Sequence, residues 1–481
     1  MRVLRRSVKP KSAKRYGAPF GGGSDPSSPP PRKEAGLVFP PGLALIHNDA
    51  ITSLMADGAP LIVQKYGGSS LATPAHIQRA ARRIRKVRES GKQVVVVASA
   101  MGRMTDHLIR LAHRTVKTPP QREMDMLLST GERISMSLLA MALEAEGVRA
   151  ISFTGSQSGI LTTSDHTSAR IKTIKPFRTQ EELAKGKVVI IAGFQGVSEN
   201  KEITTLGRGG SDTTAIALAA ALNAEYCEIL TDVDGLFTAD PRLVNEARLI
   251  QHCSYDEGLE LATLGAKMHP RSLEVARRYQ VPVWIGPASK MLSPDAALGT
   301  WITDDRKGTD TLETVQIKGI ASLGEHTLFE INGRAQVVLE TAQSLRIVLK
   351  HWHQENNRLL FVCDQTRAGL LVESLEKNGV EVKSQKNCAL LSAVGEGLGS
   401  CPDLLPQFLS ALSEVGVTPL WIGRSALTLT AVIDEKQKAL GVKKLHETFV
   451  ENRLGSLADL AAYAAVALDR AAEKKEAPIT L

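Results

Sequence analysis

The sequence predicts an α/β fold built on a mainly parallel sheet. Short apolar runs alternate with longer segments whose apolar residues recur at helical spacing. The short runs are apolar at successive positions, which is typical of parallel strands covered on both faces. Glycine-rich turns follow several of these runs, as in α/β proteins that bind ligands at the carboxyl ends of their strands.

The first strand, turn and helix begin near residue 61. Leu61-Ile62-Val63 predicts a short buried strand, and Lys65-Tyr-Gly-Gly-Ser-Ser70 predicts a turn. Thr73 is an expected N-cap with Pro74 at the first helical position. Apolar residues between Ile77 and Val87 then follow at helical spacing. Further buried strands are predicted at Val94 to Val97, Val188 to Ala192 and Cys227 to Leu230.

A second glycine loop, Leu206-Gly-Arg-Gly-Gly-Ser-Asp-Thr-Thr214, precedes an alanine-rich helix. Ser211 or Asp212 is predicted to cap this helix, and Asn223 to end it. A helix start gathers free N–H groups and positive dipole, which suits an anion, and Arg208 adds a guanidinium that fits a carboxylate or phosphate. The alternative interpretation is an ordinary capped helix after a turn.

Length and composition limit the function classes. A chain of 481 residues accommodates two to four domains, and no apolar run reaches the roughly 18 residues of a membrane span. The five cysteines form no close pair, which argues against a disulfide framework or a zinc site. This cysteine usage fits a reducing compartment, and we predict a cytoplasmic location without a membrane partner.

The net charge of +8 is concentrated at the start of the chain. Residues 1–58 hold nine Lys/Arg and four Asp/Glu, a contribution of 9 − 4 = +5, so the remaining body is only slightly basic and no nucleic-acid partner is predicted. The Gly-, Ser- and Pro-rich composition of 1–58 predicts a disordered tail. Three interpretations of this segment are open: a solvated tail, a targeting peptide, or a segment that is not translated because translation starts at Met55. We favour the last.

Two glycine loops at strand ends, one with Lys65 and one with Arg208, predict a phosphate-transfer site. No Walker A motif occurs, and neither the HRD nor the DFG motif of protein kinases is present. The common nucleotide-binding folds are therefore disfavoured. A solvated lysine is the alternative interpretation of Lys65.

Seven blocks of sequence, in order over roughly residues 59–302, resemble the aspartokinase family. They are Lys65-Tyr-Gly-Gly-Ser-Ser70, Ser99-Ala-Met-Gly102, Met124-Asp-Met-Leu-Leu-Ser-Thr-Gly-Glu-Arg133, Phe153-Thr-Gly-Ser-Gln157, Gly193-Phe-Gln-Gly196, the 206–214 loop and Thr231-Asp-Val-Asp-Gly-Leu-Phe-Thr-Ala-Asp-Pro-Arg242. The resemblance implies an amino-acid kinase fold over residues 59–305, a three-layer αβα sandwich with a mainly parallel eight-stranded sheet. It also implies phosphorylation of the L-aspartate side-chain carboxylate by ATP and Mg²⁺, giving 4-phospho-L-aspartate for lysine, threonine, methionine and diaminopimelate synthesis.

The resemblance also implies roles for individual residues. Arg208 would bind the α-carboxylate of aspartate, Glu132 its ammonium group, and Asp212 would orient Lys65. The implied catalytic residues are Lys65, Asp212 and Lys267, and no resident metal ligands are expected. The implied substrate-binding residues are Ser69, Thr105, Glu132, Arg208, Gly209, Gly210 and Ser211. The implied nucleotide-binding residues are Lys65, Tyr66, Gly67, Gly68, Ser99, Thr231, Asp232, Phe237, Thr238, Ala239, Asp240, Pro241, Arg242 and Lys267.

The C-terminal third is predicted to be α+β, with helices around 368–378 and 404–415. The resemblance implies a degenerate ACT-like module at 314–384, a clearer one at 385–450, and a terminal helix and tail at 451–481. Such modules bind lysine or threonine as inhibitors and form homodimers or higher oligomers in the family. The family's effector segment is not evident in the first module, so altered or absent feedback inhibition is expected.

Three departures from the family pattern affect the nucleotide side. Phe237 replaces a frequent tyrosine, Met268 meets His269 without the usual additional apolar residue, and Trp284-Ile-Gly-Pro-Ala-Ser289 replaces an arginine–serine pair. Two alternative functions therefore stay open. One is a kinase of another amino-acid carboxylate in a dedicated pathway, and the other is a non-catalytic amino-acid-binding regulatory subunit.

Overall fold

A computed structural model describes residues 59–289, 298–304 and 315–452. The predicted tail at 1–58 and all but two residues of the predicted terminal helix and tail at 451–481 lie outside the described residues. None of the described helices is long and apolar enough to cross a lipid bilayer.

The first part of the chain alternates strands and helices as the sequence predicts. Its strands are β1 Leu61–Tyr66, β2 Gln93–Ala98, β3 Ala150–Phe153, β4 Ile160–Thr162, β5 Ile171–Ile174, β6 Val188–Ala192, β7 Gln195–Ser198, β8 Ile203–Thr205, β9 Tyr226–Thr231, β10 His252–Cys253, β11 Val283–Pro287 and β12 Thr300–Ile302. Its helices are α1 Pro74–Glu89, α2 Met104–Thr115, α3 Gln121–Leu128, α4 Thr130–Ala145, α5 Phe177–Ala184, α6 Gly210–Ala221, α7 Tyr255–Thr263 and α8 Pro270–Tyr279.

Eight of these strands form one sheet in the order β10-β12-β11-β9-β1-β2-β6-β3. Strands β11, β9, β1, β2, β6 and β3 are parallel to one another, whereas β12 is antiparallel to β11. The chain leaves β1 for β2 on one side and later returns to β9 on the other. The sheet order therefore reverses at β1, and such a reversal opens a crevice at the carboxyl edge.

Helices cover both faces of this sheet. On one face, α1 and α4 pack against alternate residues of β1, β2 and β6, such as Ile62 and Val96. On the other face, α6, α7 and α8 pack against the intervening residues, such as Val63 and Val97. Because both faces are buried, these strands are apolar at successive positions. The predicted three-layer αβα sandwich with a mainly parallel eight-stranded sheet is confirmed.

A smaller sheet, β5-β4-β7-β8, lies next to the second glycine loop in the chain. Asp125 of α3 is fully buried and fixes this region. Its carboxylate accepts hydrogen bonds from the Thr167 amide and from the Thr205 hydroxyl, at 3.0 and 2.5 Å. Since Thr205 ends β8, these hydrogen bonds fix the position at which the loop of residues 206–209 begins.

The C-terminal part forms a second, six-stranded sheet in the order β14-β15-β13-β16-β18-β17. Its strands are β13 Gln316–Asn332, β14 Lys350–Glu355, β15 Arg358–Asp364, β16 Val382–Glu396, β17 Trp421–Arg424 and β18 Thr428–Asp434, and all neighbours are antiparallel. Its helices are α9 Ala335–Ser344, α10 Gln365–Lys377, α11 Leu404–Glu414 and α12 Lys438–His446. Helices α10 and α11 agree with the helices predicted from sequence.

The long strands β13 and β16 run through both halves of this sheet. The second half of β13 pairs with β15, whereas residues 316–323 pair with the end of β16, which in turn pairs with β18. Residues 316–323 thus belong with the later half-sheet, and the module boundary placed at 384/385 falls inside β16. A division into two consecutive modules does not capture this exchange, because strand pairing joins segments far apart in sequence.

Candidate active site

Two turns that are far apart in sequence line one cavity of about 320 Å³ at the carboxyl edge of the parallel sheet. Lys65 lies near the end of β1, Gly68 in the turn that follows, and Arg208 in the loop before α6. The ammonium of Lys65 and the guanidinium of Arg208 therefore face the same space. The other lining residues are Ser99, Ala100, Gly102, Thr105, Glu132, Phe194, Gly207, Gly209, Gly210, Ser211 and Asp212.

Helix α6 begins at Gly210, and its N-cap is Gly209 in the left-handed conformation with φ 67°. The prediction that Ser211 or Asp212 caps the helix is wrong, because both lie inside its first turn and no side chain caps the helix. The cap position needs a positive φ, which glycine adopts without a steric penalty. An uncapped first turn has N–H groups to offer a bound anion. Asn223, with φ 52°, follows the end of the helix as predicted.

Lys65 and Asp212 form a close ion pair within the cavity. The Nζ of Lys65 lies 2.6 Å from Oδ1 of Asp212, and each side chain is about nine-tenths buried, with 12% and 13% exposed. Because Asp212 belongs to the first turn of α6, the pair links the end of β1 to the start of that helix. The lysine ammonium is therefore held at the point where the helix presents its N–H groups.

Glu132 is a buried acid in the wall of the cavity. It is 3% exposed, and its Oε1 accepts a hydrogen bond of 3.3 Å from the Ala100 amide. Its Oε2 is buried with no hydrogen-bond partner within the described residues. Burial raises the pKa of the Glu132 carboxyl to about 7. A buried carboxyl with a free oxygen is suited to a cationic ligand, whose charge would compensate the cost of burial.

A second, smaller pocket of about 160 Å³ lies beside the first, at the ends of β1, β9 and β11. It is lined by the predicted nucleotide residues Tyr66, Thr231 and Asp232. Ser69, predicted to bind substrate, also lies here and is not among the residues that line the cavity of Lys65. The remaining lining residues are Ser70, His76, Arg79, Ala80, Ala288 and Ser289.

Lys267 approaches this second pocket through Asp232, with its Nζ 3.1 Å from Oδ1. Burial raises the pKa of the Asp232 carboxyl, but hydrogen bonds from Lys267 and Thr231 outweigh it and leave the pKa below its usual value. Gly67 lies between the two pockets, since a Cβ there would be 3.7 Å from Nζ of Lys65. The predicted catalytic set is thus brought to adjacent sites, but not into one cavity.

The predicted nucleotide residues 237–242 line neither pocket. Asp240 and Arg242 form an exposed ion pair of 2.7 Å with each other. Thr238 instead faces the C-terminal region, where its hydroxyl is 2.8 Å from Nε2 of the fully buried His446. The Thr238 carbonyl accepts a hydrogen bond of 2.7 Å from the Ile320 amide of β13. This segment therefore joins the kinase domain to the six-stranded sheet.

Several lining residues were not predicted, and Phe194 is the most informative. It has a left-handed backbone, φ 67°, and its ring packs where a Cβ on Gly210 would lie. The block Gly193-Phe-Gln-Gly196 was the available signal, because its flanking glycines mark an unusual backbone after β6. For His76 and Arg79 on α1, the sequence indicated only an ordinary polar helix face and not a position in a pocket.

The departure at Trp284 has a local explanation. Its indole is 3% exposed and occupies the space where a Cβ on Gly286 or Gly299 would lie. Two glycines therefore accommodate this side chain inside the sheet. Ala288 and Ser289, further along the same segment, line the second pocket.

The fold and the paired glycine turns define an amino-acid kinase, and residues 60–287 match the amino acid kinase family. The aspartokinase of Geobacillus stearothermophilus is 40% identical to this chain over 402 residues, covering 81% of this chain and 97% of that protein. The chain belongs to the aspartokinase family, and it is an aspartate kinase.

Solved structures agree with this fold. Escherichia coli aspartokinase III in complex with aspartate and ADP, in its R-state, matches with a TM-score of 0.68 at 23% identity, over 81% of this chain and 99% of that chain. The same enzyme in complex with lysine and aspartate, in its T-state, matches with a TM-score of 0.64 at 22% identity and the same coverage. The likeness extends beyond the kinase domain, since residues 59–305 are only about half of the chain.

Proposed function

We propose that the cavity lined by Lys65, Glu132 and Arg208 binds L-aspartate next to the terminal phosphate of ATP. The observation that carries the proposal is this convergence of two cations and one buried acid at the uncapped start of α6. Arg208 is exposed and forms no ion pair with any described residue, so its guanidinium is available for the α-carboxylate. The free Oε2 of Glu132 is available for the ammonium group.

The proposed mechanism needs no general base. A side-chain carboxylate with a pKa near 4 is already ionised at neutral pH. One carboxylate oxygen forms a bond to the γ-phosphorus, the bond to the ADP oxygen breaks, and no proton is transferred. The barrier is the approach of two anions, which Lys65 and the N–H groups of α6 lower by placing positive charge where the two anions meet. Asp212 keeps Lys65 in place.

Mg²⁺ is proposed to enter with the nucleotide. Among the described residues, no group of three or more His, Cys, Asp or Glu side chains could hold a metal ion. Mg²⁺ in kinase sites takes most of its ligands from phosphate oxygens and water, with one or two carboxylates. Asp212 lines the cavity and Asp232 the second pocket, and both are paired with lysines. Bound Mg²⁺ would neutralise phosphate charge.

The direct test is formation of aspartyl hydroxamate from ATP, Mg²⁺, aspartate and hydroxylamine. Lys65→Ala is expected to reduce kcat by about a thousandfold, because the principal cation at the transferring phosphate is lost. Lys172→Ala is the matched control, since Lys172 pairs only with the exposed Glu199 on the surface. A Lys65→Ala variant as active as the control would contradict the assignment.

Arg208 and Glu132 also support aspartate over another carboxylate, because together they match an α-amino acid. A panel of aspartate, glutamate and succinate tests this specificity. Aspartate should have the highest kcat/KM, and succinate, which lacks the ammonium group, should have the lowest. Preference for succinate would favour the alternative of a different carboxylate kinase.

We further propose that the C-terminal region binds lysine or threonine as an effector and forms a homodimer in the cytoplasm. Large apolar side chains exposed on its helices and loops, Leu339, Val348 and Leu370, support a subunit contact there. Titration of each amino acid against initial rates tests the effector, and light scattering tests the mass. Rates unchanged by both amino acids would contradict the effector, and a monomeric mass would contradict the dimer.

A further inference from the structure

The loop that carries Arg208 is held at both ends by the segment that begins α8. At one end, Nη1 of Arg271 donates a hydrogen bond of 2.9 Å to the Leu206 carbonyl. The same guanidinium donates a hydrogen bond of 2.9 Å from Nη2 to the Ala169 carbonyl. At the other end, the side chain of His269 lies against the backbone of Gly209.

The contact between His269 and Gly209 leaves no room for another side chain. A Cβ added to Gly209 would lie within 2.6 Å of Cβ, Cγ and Cδ2 of His269, closer than real Cβ atoms approach. Gly209 also has a left-handed backbone. The backbone of His269 is itself fixed, because its carbonyl accepts hydrogen bonds from both the amide and the hydroxyl of Ser272, at 3.0 and 2.6 Å.

We propose that His269 is a positioning residue for aspartate binding, because its ring fixes the backbone at Gly209 from which the neighbouring Arg208 projects. The inference rests on the proposed role of Arg208. Burial lowers the pKa of the His269 imidazole, which favours the neutral ring. Its contribution is steric, and Arg271 restrains the other end of the loop.

Three variants test the steric role. His269→Ala removes two of the three contacting atoms and is expected to raise KM for aspartate about tenfold, more than KM for ATP, because a small displacement of a binding group is costly. His269→Asn keeps Cβ, Cγ and an atom near the position of Cδ2, so it should retain KM within about threefold. Arg271→Gln, which releases Leu206, should raise KM for aspartate as well and does not depend on the folding of His269→Ala.

A double variant separates the ring contact from backbone strain. Gly209→Ala should lower kcat/KM about a hundredfold, and adding His269→Gly, which removes Cβ as well as the ring, should recover about tenfold of that loss by making room for the new methyl group. Gly147→Ala is the matched control, because Gly147 has φ 77° with no atom near its missing Cβ. It should retain full activity despite similar backbone strain.

Two results would overturn the inference: an unchanged KM for aspartate in both His269→Ala and Arg271→Gln, or a double variant no better than Gly209→Ala. Arg208→Ala, measured in parallel, separates this inference from the proposed function. If Arg208→Ala leaves KM for aspartate unchanged, the role of Arg208 itself is wrong. If it raises KM whereas the His269 and Arg271 variants do not, only the positioning role fails.

Discussion

In the eight-stranded sheet, the loops after β1, β2, β6, β9 and β11 all emerge at one edge, because these strands are parallel. In the six-stranded sheet every pair of neighbours is antiparallel, so the loops are divided between two edges: those after β13, β14 and β18 emerge at one edge and those after β15, β16 and β17 at the other. In a parallel sheet, motifs that follow successive strands along the chain therefore come together at one edge. The antiparallel sheet distributes its loops, and its motifs predict no common site.

The largest effect, and so the strongest test of this comparison, is expected from removing the charge of Asp212, the partner of Lys65. Asp212→Asn keeps the shape of the side chain but removes its charge, so the ammonium of Lys65 is no longer held at the start of α6. We expect kcat to fall about a hundredfold, whereas the fold is retained. Asp256→Asn is the control, because Asp256 pairs with Arg277 at the surface, where ion pairs contribute little. Equal kcat values would show that convergence at the sheet edge is not sufficient to identify catalytic groups.

KM for aspartate is expected to change about tenfold with pH. Burial raises the pKa of Glu132 from its usual 4.5 to about 7, so the carboxylate that would bind ammonium is mostly protonated at pH 6 and mostly ionised at pH 8. KM for aspartate should therefore fall about tenfold as the pH rises between these values. Glu132→Gln should show a higher KM with no such pH dependence. A KM for wild-type protein that is constant from pH 6 to 8 would contradict this role.

The smallest expected effect concerns the junction between the two sheets. Thr238→Val removes the hydroxyl that contacts His446 and leaves that buried imidazole without this partner. We expect the free energy of unfolding to fall by about 1 kcal/mol, because one buried hydrogen bond is lost, with KM for ATP and for aspartate unchanged. Thr263→Val, on the exposed side of α7, is the control. A free energy of unfolding equal to that of the control would indicate that this contact does not hold the two regions together.

Local sequence patterns were sufficient to predict much of the secondary structure of the kinase domain. Strand β6 occupies the predicted residues Val188 to Ala192, since an apolar run between Lys187 and Gly193 leaves little choice of boundaries. The N-cap of α1 at Thr73 is also confirmed, because its hydroxyl accepts a hydrogen bond from the His76 amide. In both cases the decisive interactions lie within a few residues of one another.

The sequence predicts poorly those features that depend on an unusual backbone conformation or on pairing with a segment distant in sequence. The start of α6 depends on the left-handed Gly209, which competes with the capping chemistry of Ser211. Ser69 lines the second pocket, and its role in substrate binding stays a prediction. The exchange of strands in the C-terminal sheet follows from pairing between residues more than sixty positions apart, for which sequence periodicity carries no information.

The continuity of β13 has a consequence for communication within the molecule. This strand spans both halves of the C-terminal sheet, and its Ile320 amide donates to the Thr238 carbonyl in the segment that follows β9. A change in the twist of either half-sheet would move this one peptide group. A single strand would then carry a change in either half to the kinase domain.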